Sequence, residues 1–374
     1  MKIKLNAEEL SKKLEQVSRV VPSKTTIQIL EDVLIEPRGD SIVITASDSE
    51  MWFSVKCEIA ECDGSERICV RAEDLASLIK NIGDRQVSIT SDSDTYTLTC
   101  EYGNGSFSIH YDNADCFPTY GEADDVDSVI IDSSIILKSI EATKFASADN
   151  DKLRPVLNGI HVDIRKERIA TTAASLSMVA IYSEKGVFLP DEKDYEFTLT
   201  KKSSNILTSI LGTVKGNIKL SFNKNSISVN NSDFKLYSVL VDYKYPDCSL
   251  LIPTESKLVV TIDKESLLLA LKRITPASND ISNSILFSFS DGNLTLSADN
   301  AVFGKSAKET VPCDCEGCMN ICFKGSNVID ILRNIDDNDI VIEFTDENKA
   351  GVFYSMFSHT KDEYISMCMP MLIQ

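Results

Sequence analysis

A motif that occurs three times along the chain is the feature that most constrains its fold. Each copy has a short β-prone run, an Asn or Asp suited to capping a helix, and apolar residues at helical spacing. Such an internal repeat predicts three similar units, each entering a helix from a strand. The copies start at Ile3, Val129 and Val260, their caps are Asn6, Asp132 and Asp263, and their stripes are Leu10, Leu14 and Val17; Ile136, Ile140 and Thr143; and Leu267, Leu271 and Ile274.

A second amphipathic helix is predicted in each third of the chain, with a seam of two apolar residues four positions apart. Short alternating segments between the helices predict strands, for example at 41–45, 96–99, 218–222 and 294–297. The second helices are predicted at Glu73 to Ile82, Lys201 to Leu211 and Lys324 to Ile335, with seams at Leu78 and Ile82, Leu207 and Leu211, and Ile331 and Ile335.

Acidic, turn-rich joints at residues 121–127 and 252–256 separate these thirds. A chain of 374 residues is long enough for two or three domains. We therefore expect three α+β domains, at 1–125, 126–254 and 255–374, each with two helices and several strands.

Composition indicates an ordinary globular protein, with 43% hydrophobic and 25% charged residues. The N-terminal residues lack the apolar core of a signal peptide, and no stretch reaches the length of a membrane span, so we expect a cytoplasmic protein without membrane contact. The odd number of cysteines, eleven, fits reduced thiols. Cys313, Cys315, Cys318 and Cys322 offer four thiolates for zinc, but no second Cys pair or His pair follows, and a metal site is not favoured.

Basic residues are concentrated on the predicted helices. The net charge is −19, from 38 basic and 57 acidic residues, yet the six helical segments hold 13 basic and 8 acidic residues. One interpretation is a basic surface built from helices that faces nucleic acid. Twelve such helices from two chains, about 10 Å apart, would enclose a hole of roughly 28 Å. The other interpretation, in which Lys and Arg occupy solvated helix faces, remains open.

The C-terminal stretch from Tyr364 to Gln374 contains Met367, Met369 and Met371 together with Pro370 and several aliphatic residues. An apolar end of this kind gains from burial, so we expect it to dock on its own protein as an edge strand. Methionine side chains also adapt to partner peptides, and a groove wall is the alternative role.

An enzyme is not indicated. The three histidines, His110, His161 and His359, lie in strand-like segments without a recognisable nucleophile or carboxylate arrangement. The segment Tyr102–Gly105 has two glycines and no following helix, so it predicts a hairpin turn rather than a phosphate loop.

Four segments are distinctive: Arg154–Ile160, Lys235–Asp247, Met369–Leu372 and Cys116–Pro118. Together they resemble the bacterial DNA polymerase III beta subunit family, the DNA sliding clamps, and the resemblance covers the whole chain. The resemblance implies a DNA-clamp fold and a head-to-tail homodimeric ring without catalytic site or cofactor. Such a ring encircles double-stranded DNA and confers processivity on the replicative polymerase. A clamp loader opens it, and partners bind through a short hydrophobic motif.

The resemblance also implies three sets of site residues. DNA-facing positions are Lys24, Arg154, Lys201 and Lys202. The subunit interface would use Phe107 and Ile109 against Pro276 and Ala277. The partner-peptide pocket would use Leu157, Thr171, Leu176, Pro246, Leu251, Met369, Pro370, Met371 and Leu372.

The chain departs from the family pattern on the polar side of this pocket. Thr172, Ala173, Ala174 and Ser175 stand where an acidic residue, a small residue, His and a basic residue are usual. Glu73 stands where a basic residue is common, and Gln28 where Pro is usual. An alternative function is therefore a divergent paralogue that acts as a protein-interaction scaffold with altered partners.

Overall fold

The computed structural model describes residues 1–120, 127–185, 193–253 and 255–372. It divides the chain into two compact units, one comprising Met1–Ser133 with Asn205–Leu240, and the other Ser134–Ser204 with Val241–Gln374. The predicted domain boundaries after 125 and 254 fall on residues outside the described ranges, and so does all of the acidic joint at 121–127 except Asp127, which begins a strand.

The described residues form six α-helices. They occur in pairs along the chain, each entered from a strand, and every helix has nine or eleven residues. The helices are α1 (Ala7–Val17), α2 (Ala72–Lys80), α3 (Ser133–Thr143), α4 (Lys201–Leu211), α5 (Lys264–Ile274) and α6 (Gly325–Arg333).

Antiparallel strands make up the rest of the regular structure. Those of the first part of the chain are β1 (Lys2–Asn6), β2 (Asp32–Arg38), β3 (Ser41–Ser47), β4 (Met51–Glu58), β5 (Glu61–Asp63), β6 (Ile68–Arg71), β7 (Gln86–Asp92), β8 (Thr97–Tyr102), β9 (Gly105–His110), β10 (Asp112–Asn113) and β11 (Asp127–Asp132). The middle of the chain adds β12 (Ile160–Arg165), β13 (Arg168–Ala174), β14 (Met178–Lys185), β15 (Tyr195–Leu199), β16 (Asn217–Phe222), β17 (Ser226–Asn230) and β18 (Phe234–Val239). The last third adds β19 (Leu258–Asp263), β20 (Ser284–Ser290), β21 (Asn293–Asn300), β22 (Lys305–Pro312), β23 (Asp314–Cys315), β24 (Met319–Lys324), β25 (Asp339–Phe344), β26 (Gly351–Ser355) and β27 (Tyr364–Cys368).

Each unit contains one nine-stranded and one smaller sheet. The first unit has the orders β5-β1-β7-β8-β9 and β10-β6-β2-β3-β4-β18-β17-β16-β11. The second has β15-β12-β13-β14-β27-β26-β25-β19-β23 and β22-β21-β20-β24. The predicted α+β class with antiparallel sheets is confirmed, and so is the hairpin turn at 102–105, where Tyr102 pairs with Gly105.

The repeated helical stripes form the core as predicted. The apolar members of the three stripes are buried, and so is Thr143, whose hydroxyl donates to the Ser139 carbonyl at 3.1 Å. Asn6 caps α1 by accepting from the backbone amides of Glu8 and Glu9 at 2.9 and 3.1 Å.

The predicted seam of the second helix is wrong at Leu78. This side chain is 37% exposed, whereas Leu75 and Ile79 of α2 are fully buried. Leu75, Ile79 and Ile82 follow the i, i+4, i+7 spacing of one helix face, and Leu78 lies beside that face. The limits of α6 also differ slightly from prediction, because Lys324 ends β24 and the helix starts at Gly325. No described helix is long and apolar enough to cross a membrane.

Asp263 offers a direct test of the repeated cap. Its carboxylate accepts from the Ser266 amide at 2.8 Å at the start of α5. We expect Asp263→Ala to lower the free energy of unfolding by about 1 kcal/mol, because that amide loses its partner. Asp263→Asn keeps the acceptor and should stay close to wild type. Urea unfolding followed by circular dichroism measures both, and equal losses for the two variants would contradict the capping role.

Candidate functional site

An apolar groove lies in the second unit where β14 pairs with β27. Its cavity volume is about 670 Å³. The register places Met178 opposite Cys368 and Val179 opposite Met367. The groove is lined by Arg154, Ser175, Leu176, Met178, Val179, Leu250, Leu251, Ile252, Pro253, Glu255, Thr345, Asn348, Lys349, Ala350, Met367 and Met369.

The floor of the groove is a buried apolar cluster that fixes its shape. Three of the residues lining the groove, Val179, Ala350 and Met367, belong to this cluster together with the buried Leu157 and Ile365. Close-packed side chains of this kind move little, so the groove is preformed rather than opened by a ligand.

Leu176 projects from a tight turn between β13 and β14. The Ser175 amide donates to the Met178 carbonyl at 2.8 Å, and the Met178 amide donates to the Ser175 hydroxyl at 3.2 Å. These two bonds hold the turn while the Leu176 side chain remains 69% exposed. A fixed backbone that presents an exposed leucine is typical of a docking surface.

A second set of exposed leucines comes from the short 3₁₀ turn Cys248–Leu251. Asp247 caps this turn by accepting from the Ser249 amide at 3.0 Å. The hydrogen bond from the Ser249 hydroxyl also lowers the pKa of Asp247. Leu250 is 81% and Leu251 60% exposed, so apolar side chains lie on both sides of the groove.

The C-terminal segment forms one wall of the groove. After β27 the Met369 amide donates to the Ser177 carbonyl at 2.8 Å, and the Met371 amide donates to the Cys322 carbonyl at 2.7 Å. Asn327 supports the same turn, since its side-chain amide donates to the Ser177 hydroxyl at 3.0 Å. The segment therefore continues from β27 along the protein surface. Its half-exposed Met369 side chain also lines the groove.

The structure brings together only some of the predicted pocket residues. Leu176, Leu251 and Met369 line the groove, and Leu157 lies in the cluster beneath it. Thr171 is 1% exposed and its hydroxyl donates to the Ser139 carbonyl at 2.7 Å, so it does not reach the groove. Pro246, Pro370, Met371 and Leu372 are not among the lining residues.

Met367 and Val179 are lining residues that the sequence reasoning missed. Both lie in strands at positions where the sequence pattern is that of ordinary core residues. Only the pairing of β14 with β27 brings them under the groove. The segment 172–175, singled out for its missing polar residues, contributes Ser175 to the lining, while Ala174 is buried. Because the Ser175 hydroxyl accepts a hydrogen bond within the turn, this side of the groove is mainly apolar.

Charged side chains stand at the rim. Arg154 is exposed and lines the groove, and its predicted DNA contact remains a prediction. Lys349 lies 3.8 Å from Asp346, and Glu255 also lines the groove. Among the other predicted DNA-facing residues, Lys24 and Lys202 are exposed, and Lys201 forms an ion pair with Asp149.

The residues predicted for the subunit interface lie on an edge strand and in a surface turn. Phe107 and Ile109 are half-buried on β9, the edge strand of the five-stranded sheet. Pro276 is exposed and Ala277 half-buried in the 3₁₀ turn Thr275–Ala277 that follows α5.

Solved structures of known proteins share this fold. The fold is that of the sliding clamps: the crystal structure of the DNA polymerase III subunit beta from Pseudomonas aeruginosa matches with a TM-score of 0.93, 24% identity and full coverage of both chains. The beta subunit from Thermotoga maritima matches with a TM-score of 0.90 and 23% identity, again over both whole chains.

Family models for the DNA polymerase III beta subunit match the N-terminal domain at residues 1–121, the central domain at 130–247 and the C-terminal domain at 249–371. The chain therefore belongs to the DNA polymerase III beta subunit family. The Beta sliding clamp of Bacillus subtilis (strain 168) is 23% identical over 357 residues, which cover 92% of this chain and 93% of that protein. The Beta sliding clamp of Pseudomonas aeruginosa is 24% identical and covers 99% of this chain and 100% of its own length.

The candidate thiolate site does not assemble in the described residues. Cys313 and Cys315 approach to 3.6 Å between their sulfurs, but no group of three or more His, Cys, Asp or Glu side chains in the described ranges is arranged to hold a metal ion. Burial raises the pKa of the Cys313 thiol to about 12, and hydrogen bonding to Cys315 adds to the shift. Thiols with raised pKa values remain protonated near neutral pH and are poor nucleophiles.

This difference predicts the order in which the cysteines react. Burial raises the pKa of Cys57, Cys69 and Cys368 to about 12, whereas Cys116 and Cys318 are exposed. We expect a neutral alkylating reagent at pH 7 to modify Cys116 and Cys318 first, with the buried thiols reacting only after denaturation. Peptide mass spectrometry at timed intervals measures this order. Early labelling of Cys368 would contradict its burial beneath the C-terminal segment.

Proposed function

We propose that this chain is a non-catalytic sliding clamp that encircles double-stranded DNA and tethers the replicative DNA polymerase. The observation that carries the proposal is the family match over nearly the whole chain, together with the preformed apolar groove. The three family-model ranges support three domains at about 1–125, 126–254 and 255–374. A protein that works on chromosomal DNA in bacteria is expected in the cytoplasm.

The ring is proposed to form from two copies joined head to tail. Phe107 and Ile109 of one copy would meet the segment around Pro276 and Ala277 of the next. A heterologous contact of this kind gives a closed ring when the rotation between copies closes after two subunits. The position of Phe107 and Ile109 on an edge strand supports it, because an unpaired edge accepts another strand.

Contact with DNA is proposed to be sequence-independent. Lys24, Lys201 and Lys202, with Arg154, are the proposed phosphate partners. Lys–phosphate contacts release counterions, so retention on DNA should weaken as salt rises. Lys201 also forms an ion pair with the exposed Asp149, which would compete with phosphate for its ammonium group.

The groove is proposed to bind short hydrophobic motifs of the polymerase catalytic subunit and the clamp loader. Leu176 and Met369 provide exposed apolar surface on two walls, and Met367 and Val179 form the floor between them. An extended peptide with two apolar side chains would bury this surface without any covalent chemistry.

A peptide-binding experiment tests the groove. A synthetic peptide carrying the hydrophobic motif of the polymerase catalytic subunit should bind the wild-type chain, and Leu176→Ser or Met369→Ser should weaken binding about tenfold, because each removes roughly 1.5 kcal/mol of apolar burial. Leu153→Ser is the matched control, since Leu153 is 93% exposed and does not line the groove. Fluorescence anisotropy measures the affinities. Equal affinities for all variants would remove the groove assignment.

A further inference from the structure

A second cavity lies in the first unit, on one face of the sheet formed by β2, β3, β4 and β18. Its volume is about 550 Å³, within the range of about 300–1,000 Å³ that is usual for ligand pockets. The chain from Ala114 to Tyr120, which follows β10, contributes the wall. We propose that this cavity binds an acidic peptide segment of a partner protein, which inserts one apolar side chain, and that it is a docking site separate from the groove.

The strand frame of this cavity repeats that of the groove. Each nine-stranded sheet joins two three-stranded meanders through one antiparallel pair, β4 with β18 in the first unit and β14 with β27 in the second. In the register of these pairs, Trp52 lies opposite Tyr237 as Val179 lies opposite Met367. The position that forms the floor of the groove in the second unit is therefore occupied by two aromatic residues in the first.

Three packed rings fill this position in the first unit. Tyr120 stacks on Tyr237 with 4.3 Å between the ring centres, and the Trp52 ring centre lies 5.4 Å from that of Tyr120. The Trp52 indole N–H donates to the Pro118 carbonyl at 2.9 Å, which fixes the wall against the sheet. The cavity extends beside these rings, so a ligand bound there contacts a different surface from that of the groove.

The floor of the cavity is partly polar. Thr45 and Ser54 lie opposite each other on β3 and β4, and their hydroxyl oxygens are 2.8 Å apart. One of the two hydroxyl hydrogens forms this bond, so the other can be donated to a carbonyl or carboxylate oxygen of a ligand. Leu34, Trp52 and Phe117 belong to a buried apolar cluster that also lines the cavity. An extended peptide with one apolar side chain uses both kinds of surface.

Basic side chains predominate among the charged groups of the cavity, although the chain has a net charge of −19. Among the described residues that line the cavity, four are basic and two are acidic: Arg38, Lys56, Arg67 and Lys235, against Glu36 and Asp233. An acidic peptide is therefore complementary to this site in charge, whereas a basic peptide is not.

Glu36 holds two of these basic groups at the cavity. Its side chain is 15% exposed, and its carboxylate lies 3.7 Å from Arg38 and 3.6 Å from Arg67. One carboxylate shared by two guanidinium groups leaves a net positive charge. Arg67 also lies 3.4 Å from Asp115, but Asp115 is 82% exposed. Ion pairs in water are weak, so a ligand carboxylate can replace Asp115.

The aromatic residues favour a peptide over single-stranded nucleic acid. Stacking of bases needs an exposed ring face. Trp52 is 8% and Phe117 5% exposed. Tyr120 has Tyr237 stacked on it and the Lys235 ammonium 5.3 Å from its ring centre. The cavity therefore presents ring edges and charged groups rather than a stacking platform.

Fluorescence anisotropy with the full chain tests the inference. The probe is a fluorescein-labelled peptide with one Phe between two runs of Glu, and it should bind the wild-type chain. Lys235→Gln and Arg38→Gln should each raise its Kd about threefold, and both together about tenfold, because each removes a charge that faces the peptide. Lys224→Gln is the matched control, since Lys224 is exposed in the same unit and does not line the cavity.

Val43→Phe tests the cavity without a change of charge. Val43 is a half-buried residue of β3 that lines the cavity, and a larger ring there occupies the space of the inserted side chain. The Kd of the probe should rise at least about tenfold. Circular dichroism checks that the variant is folded. A probe with Ser in place of Phe should bind the wild-type chain about tenfold more weakly and lose little more on Val43→Phe, because both changes remove the same contact.

Competition experiments separate this site from the groove. An unlabelled peptide with the hydrophobic motif of the polymerase should leave the acidic probe bound, and displacement would overturn the separate site. Displacement by oligothymidylate would overturn the peptide as occupant in favour of nucleic acid. No rise in anisotropy with the wild-type chain, or equal Kd values for Lys235→Gln and Lys224→Gln, would overturn the inference and leave the proposed ring and groove in place.

Discussion

The antiparallel pairing of β14 with β27 is the interaction on which the candidate site depends. It joins Met178–Tyr182 to Tyr364–Cys368 within one nine-stranded sheet. These two segments are separated by about half of the chain. Strands of such large sequence separation pair only when the side chains between them fill a common core. Here the core consists of Val179, Ile365 and Met367 with their neighbours. Without this pairing, the Met369 amide would not reach the Ser177 carbonyl, and the groove would lack one wall.

The groove combines a rigid backbone with exposed apolar side chains, and this combination suits the peptide-binding role proposed for it. Leu176, Leu251 and Met369 remain in solvent because hydrogen bonds of the turns, rather than packing of these side chains, hold the backbone. The apolar area that a partner covers then adds directly to affinity, with little ordering of the groove. The scarcity of polar side chains on the Ser175 side leaves Arg154, Lys349 and Glu255 as the main charged groups at the rim.

Much of the fold could be predicted because it repeats. Three copies of the same stripe predicted the positions of α1, α3 and α5 and the burial of Leu10, Ile140 and Leu271, since helical spacing is a local property. Leu78 was misplaced because several neighbouring positions of a nine-residue helix are apolar, and the sequence does not say which of them faces the sheet. The site was harder to predict. Leu176 and Met369 matched a resemblance, whereas the burial of Thr171 and the roles of Val179 and Met367 depend on strand pairings between distant segments, for which a single sequence has no local signal.

Retention on circular DNA tests the central claim most directly. The chain is loaded onto nicked circular duplex by the clamp loader proposed as its partner and separated from free protein by gel filtration, and the DNA is then cut once with a restriction enzyme. A closed ring is held topologically, so it should stay on the circle through the column and leave once an end is created. Equal retention on circular and linear DNA, or loss from the circle, would contradict the account.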